Sequence, residues 1–198
     1  RKNPQLDFLD SQLSDEYARI GVGRDDGANG GDFSVIYYRK DFFELIKNGD
    51  FWMSETPAVP SFGWGASFRR VTSWGHFRLK GTDKEILIYN THFDHAAQKA
   101  IEESFKLMRD SIAGRMTNGV YSVITTGDYN TGTNNVFFKP LSDFLNNSRD
   151  DALLTDKRET FNGWGDANQY SQIDHILYKN CVPKSFNVIT GTYQGVAL

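Results

Sequence analysis

The sequence has a single cysteine in 198 residues, Cys181, which excludes an internal disulfide and any Cys-rich zinc site. Lying in an apolar stretch, that thiol reads as a small buried hydrophobe. Long apolar runs are missing too. The longest stretch of Ile, Leu and Val is Ile86-Leu87-Ile88, against the roughly 20 residues that a membrane-spanning helix needs. No charged-then-apolar leader is visible and the sequence opens at Arg1 rather than Met, so the compartment stays open between secreted, periplasmic and cytoplasmic. An excess of positive charge is also lacking: 22 Lys plus Arg stand against 25 Asp plus Glu, net −3, with the cations scattered. A tight, sequence-independent grip on nucleic acid needs a basic stripe and is not expected. Transient cleavage of a nucleic acid, with a metal cation neutralising the phosphate, is still allowed.

What is present is ordinary globular material. Hydrophobic residues make up 39% and aromatics 14%, too much for a disordered chain. The length suits one domain, residues 1–198, without internal linker or repeat. Asn3-Pro4 is a helix start, and Leu6, Leu9 and Leu13 continue it at helical spacing to about residue 14. Ala18 to Gly23 and Phe33 to Arg39 read as strands around a Gly-rich loop, and Phe42 to Met53 as a strand pair turning at Asn48-Gly49. Phe68 to Lys80 and Glu85 to Thr91 form an expected hairpin. Residues 95–117 form the one long helix, with Ala97, Ile101, Phe105, Met108 and Ile112 along one face. Val120 to Thr126 reads as a buried strand, Leu141 to Asn146 as a short helix, and Gln172 to Tyr178 and Lys184 to Thr192 as closing strands. Strands around one long helix imply an α/β layered domain.

Three polar groups interrupt apolar strands. Thr126-Gly127-Asp128-Tyr129-Asn130 presents an acid and an amide two positions apart, on one side of extended chain. The pair suits phosphoryl chemistry, since a carboxylate holds a metal or takes a proton from water while an amide donates to a phosphoryl oxygen. A plain Asx turn after a strand is the alternative. In Asn90-Thr91-His92-Phe93-Asp94-His95 the same alternation puts Asn90, His92 and Asp94 on one face. His92 either donates to phosphate near neutral pH or is a structural hydrogen-bonding group. Asp174, inside Ser171-Gln172-Ile173-Asp174-His175-Ile176, needs a cation or donor if buried, or else an exposed strand face. His175 faces the other way. Arg24 either contacts substrate or braces Asp25 or Asp26, Arg69 and Arg70 are expected to be solvated or paired, and Trp64, Trp74 and Trp164 either stack on a base or sugar or pack internally.

In this order, these pieces resemble the endonuclease/exonuclease/phosphatase superfamily, the DNase-I-like metal-dependent phosphodiesterases and phosphatases, in a bacterial branch. The matching stretches are Ile20 to Gly27, Asn90 to His95, Gly127 to Asn130, Thr160-Phe161-Asn162 and Ile173 to Leu177. The resemblance implies a four-layered αββα sandwich and hydrolysis of phosphate mono- or diesters with Mg2+ (or Mn2+). It implies that Asp128 positions or deprotonates water and touches metal, that Asn130 and His92 stabilise the pentacovalent phosphorus, and that Asp174 orients a further His. Arg24, Asp94 and Asn162 are the candidate substrate contacts. The family's metal-binding Glu falls upstream of Arg1 and its terminal Asp-His beyond Leu198, so the sandwich is expected to be incomplete at both ends and the 198-residue piece weakly active. The expected partner is a phosphate-ester small molecule, a lipid head group or nucleic acid, acting on a monomer. A nuclease of the same fold, or a non-catalytic binding module on it, is the alternative.

Overall fold

A computed structural model of the chain describes residues 3–116, 122–193 and 196–197. In chain order it holds α1 (Asn3–Leu13), β1 (Tyr17–Ile20), β2 (Ile36–Arg39), β3 (Phe43–Trp52), β4 (Val71–Leu79) and β5 (Glu85–His92). Then come α2 (Gln98–Met116), β6 (Ser122–Asp128), α3 (Lys139–Ser142), β7 (Asn146–Asn147), α4 (Ser148–Asp151), β8 (Leu154–Thr155), β9 (Asp174–Lys179) and β10 (Ser185–Phe186). The expected end of the long helix at Thr117 and start of the next strand at Val120 lie outside the described residues.

Six strands form one sheet in the order β3-β4-β5-β6-β9-β7. Its pairs are antiparallel except β5 with β6, which run parallel because α2 carries the chain back between them. Alternation along β5 sends Leu87 and Tyr89 under α2 and Ile86 and Ile88 to the opposite face. The α2 stripe of Ile101, Phe105, Met108 and Ile112 closes the first face, joined by Phe93, Tyr129 and Phe138. The second face packs on the antiparallel β1–β2 ribbon through Ile20, Ile36 and Phe77. Outside the ribbon lies α1, whose Asp10 accepts from Arg19 at 2.9 Å and from the Tyr37 hydroxyl at 2.6 Å. The layers are thus helix, sheet, ribbon and helix, a mixed α/β architecture. Among the described residues no helix is long and apolar enough to cross a membrane.

Several elements differ from expectation. Asn48-Gly49 does not turn. It runs straight through β3, pairing with Gly75 and Trp74, and the strand bends instead at a bulge between Leu45 and Lys47. The reason is tertiary: the Trp74 indole covers Gly49 so closely that a Cβ there would lie 3.0 Å from its Nε1. The helix expected over residues 141–146 is the single turn α3, led by a 3-10 turn at Val136–Phe138 that the Asn135 side chain caps. Of the strand expected over residues 184–192, β10, Ser185–Phe186, forms at its start and pairs with β8, while Thr192 at its end begins a separate two-residue strand with Tyr193. Cys181 is half-buried rather than enclosed.

The ring cluster beneath the sheet is the main apolar stabilisation. Phe105 is fully buried, with its ring centroid 5.0 Å from Phe93 and 4.9 Å from Phe138. Phe105→Ala is expected to cost about 3–5 kcal/mol, measured by urea unfolding; a loss below ~1 kcal/mol would show that this cluster is not the core.

Candidate active site

Three neighbouring strands place their polar ends together. The register sets His92 beside Asp128, and Asp128 beside Asp174. On β5 the face that carries Ile86 and Ile88 continues to Asn90 and His92, so both point toward the ribbon side. There a cleft of about 770 Å³ opens, with Asn90, His92, Thr126, Asp128, Thr160 and Asp174 in its polar lining. Its apolar lining includes Phe33, Val35, Phe186 and Ile189. His175 faces the other way, as alternation requires: it is buried, and its Nε2 lies 2.8 Å from the Thr131 carbonyl.

Gly127 makes the convergence possible. A Cβ there would stand 2.3 Å from the Thr91 carbonyl, so only glycine lets β6 lie this close to β5. Just past the strand, Asn130 adopts left-handed backbone, φ +49°, a conformation asparagine tolerates better than most residues. Its amide N–H donates to Asp128 Oδ1 at 2.8 Å, and its Nδ2 donates to the Phe93 carbonyl at 3.0 Å. The turn and the site are therefore the same object. Asn130 fixes the Asp128 carboxylate and ties the end of β6 to the end of β5.

The electrostatics are unbalanced in a useful way. Burial pushes Asp128 up to about 6, against the Asn130 hydrogen bond, with the neighbouring Asp174 charge adding to the rise. Asp174 is also raised by desolvation, partly offset by Thr160. The Thr160 hydroxyl accepts from the amides of Ile173 and Asp174 at 3.1 and 3.0 Å, which fixes the start of β9. Burial and the positive Arg70 and Arg24 push His92 down to about 4, so its imidazole is neutral at pH 7. Its Nε2 stands 3.5 Å from Asp128 Oδ2.

The other candidates are placed differently. Asp94 leaves the His92 face because β5 ends at His92. It is 1% exposed, and its Oδ1 accepts from the amides of Ala96 and Ala97 at the entry to α2. Arg24 pairs with Asp32 at 2.9 Å and, more loosely, with Asp25 at 3.9 Å, and lies over the Phe68 ring. The Asn162 side chain accepts from Trp164 N at 3.1 Å and caps a turn. Asn90, Thr126 and Thr160 are polar lining residues that sequence reasoning passed over as site candidates. Asn90 is held by Thr126 Oγ1 at 3.1 Å and donates to the Val35 carbonyl at 2.9 Å. Its signal was present in the alternation with His92.

No group of three or more His, Cys, Asp or Glu side chains poised to hold a metal occurs among the described residues. Two facing carboxylates, both resisting ionisation, nevertheless form an oxygen donor set that suits Mg2+ or Mn2+, which commonly takes one or two carboxylates and completes its shell with water and phosphate.

No family model matches the chain. It is similar to the crystal structure of an endonuclease/exonuclease/phosphatase family protein from Bacteroides thetaiotaomicron, at 38% identity and TM-score 0.88, covering 96% of this chain and 70% of that one. It is also similar to the mannosyl-6-phosphatase Bt3783 of Bacteroides thetaiotaomicron, at 37% identity and TM-score 0.86, over 95% of this chain and 73% of that one. A curated relative, the uncharacterized protein L388 of Acanthamoeba polyphaga mimivirus, is 35% identical over 133 residues, which is 65% of this chain. The match spans 45% of that relative's length.

A carboxylate whose folded pKa is raised holds its proton more tightly folded than unfolded, so its ionisation removes stability as pH rises from about 4 to about 6. Asp128→Asn keeps the Asn130 hydrogen bond without the charge. In EDTA it is expected to stabilise the protein by roughly 1–3 kcal/mol at pH 7.5, with the gain vanishing toward pH 3.5. Thermal unfolding at the two pH values checks this; equal melting shifts at both would mean that Asp128 carries no such charge penalty.

Proposed function

The chain belongs to the endonuclease/exonuclease/phosphatase family, and on that premise we propose that it hydrolyses phosphate esters by in-line attack of a water activated at Asp128. The observation that carries this reading is the strand register that brings His92, Asp128 and Asp174 to one end of one cleft. Asp128 and Asp174 are the residues that would hold a divalent cation, which when bound would supply charge neutralisation of the phosphoryl group. Asp128, with one oxygen fixed by the Asn130 amide, orients the attacking water through the other and takes its proton. His92 is neutral at pH 7 and donates its ring N–H to a phosphoryl oxygen, adding no charge to the ground state. Asn130 gives its Nδ2 to the Phe93 carbonyl and is not among the cleft-lining residues, so it acts through the Asp128 carboxylate that its amide holds.

A small phosphorylated molecule is favoured over a polynucleotide. The balance of 22 cationic against 25 acidic residues gives little attraction for a long phosphate backbone, and a mannosyl-6-phosphatase stands at 37% identity. The assay is turnover of mannose 6-phosphate, p-nitrophenyl phosphate, bis-p-nitrophenyl phosphate and single-stranded DNA, with Mg2+ and with EDTA. Monoester hydrolysis that EDTA abolishes is the expected result. Asp128→Asn is expected to lower kcat/KM by 10²–10⁴-fold, and its raised stability separates that loss from unfolding. His92→Gln is expected to lower kcat with little change in KM. Full activity in Asp128→Asn would overturn the mechanism, and turnover confined to DNA would overturn the substrate class.

A further inference from the structure

The loop between Thr160 and Ser171 holds the most conspicuous surface side chain that this chemistry leaves unused. Trp164 is 90% exposed, and its backbone is left-handed at φ +54°, a conformation a bulky side chain rarely adopts. The loop is built to keep it there. Asn162 Oδ1 accepts from Trp164 N at 3.1 Å, Gly165 N donates to the Asn162 carbonyl at 2.9 Å, and Asp166 N donates to the Gly163 carbonyl at 3.0 Å. Gly163 and Gly165 flank it with positive φ. The indole rests edge-on against Phe161, centroids 5.9 Å apart, and Phe161 pairs with Ser171 to close the loop.

The position of this loop gives the exposure meaning. Its stem, Thr160, holds the amide of Asp174 at 3.0 Å, so the loop leaves the sheet at the end where β5 and β6 deliver His92 and Asp128. Beyond the indole the loop carries polar groups with unused acceptors. Asn168 Nδ2 and Gln169 Nε2 donate to Asp166 at 3.0 and 2.9 Å, which orients both amides, while their carbonyl oxygens accept no hydrogen bond from the described residues. An exposed aromatic face and oriented acceptors carried on one short loop are the chemistry that recognises a sugar: ring C–H groups lie on an indole and hydroxyls donate to amide oxygens.

We propose that Trp164 is the platform for the ring of a phosphorylated sugar, with Asn168 and Gln169 accepting from its hydroxyls while the phosphate lies between His92, Asp128 and Asp174. The assignment rests on the phosphoester reading above and adds the part of the substrate that the cleft carboxylates do not touch. Trp164 is a specificity-determining residue here and takes no part in proton transfer.

The test compares mannose 6-phosphate with glycerol 3-phosphate, which lacks a ring, on the full chain with Mg2+. In Trp164→Ala the ratio of kcat/KM for the two substrates is expected to fall about tenfold, mainly through KM, with Trp164→Phe retaining most of it. A ratio unchanged in Trp164→Ala overturns the proposal. A second measurement needs no turnover: in EDTA, mannose 6-phosphate is expected to shift the tryptophan emission of the wild type and not that of Trp164→Phe. An emission response to AMP without one to mannose 6-phosphate overturns the sugar assignment in favour of a base. If the wild type hydrolyses neither ester, the hydrolase reading falls and the emission experiment alone decides the platform.

Discussion

Everything about the site depends on how β5, β6 and β9 are registered against one another. Side chains alternate along a strand, so a slip of one residue would turn His92 or Asp128 from the cleft to the α2 side and bury a charge among Phe93, Phe105 and Tyr129. Gly127 secures the alignment by removing the one atom that would hold the strands apart, and Asn130 then locks the two strand ends through the Phe93 carbonyl. The ring cluster on the other face acts in the same direction. Tyr129 is fully buried between Asp128 and Asn130 and packs against Phe93, centroids 4.9 Å apart. A hydrophobic anchor thus sits between the two polar groups it positions.

The same arrangement concentrates charges that fold poorly by themselves. Asp128 and Asp174 face each other, and behind them Arg70 is 4% exposed, its Nε 3.8 Å from Asp94 Oδ2 and without a hydrogen bond. Among the described residues the Arg70 side chain hydrogen-bonds only with His95, at 3.2 Å, and it shares the Phe68 ring with Arg24. Its positive charge draws Asp128 and Asp94 toward ionisation and, together with burial, keeps His92 neutral. Stability is given up locally where these charges meet, the relation to its scaffold that the proposed active site would require.

Legibility in the sequence followed the range of the interaction. The α2 stripe, β5 and the strand ending at Asp128 were visible because each is a pattern over neighbouring residues. The Asn48-Gly49 turn was misread because Trp74, distant in sequence, covers Gly49 and makes straight strand the better solution. Asp94 was assigned to the His92 face because alternation was carried one step past the end of β5, where the chain is already turning into α2. Arg70 is paired, with Asp94, which was one of the two expected outcomes, but nothing local marks the residue just ahead of β4 as buried. Asn162 stood in the right stretch, but its side chain caps the turn that holds out Trp164.

Residue order alone determined the class of fold, the existence of the long crossover helix and the identity of His92, Asp128, Asn130 and Asp174 as the polar groups breaking apolar strands. Those follow from periodicity and composition, which are properties of short windows. Tertiary structure decided which of them meet. Bringing His92, Asp128 and Asp174 together requires three segments separated by dozens of residues to pair in one register, and that register is set by close backbone approach and core packing summed over the whole sheet. No local window contains that sum.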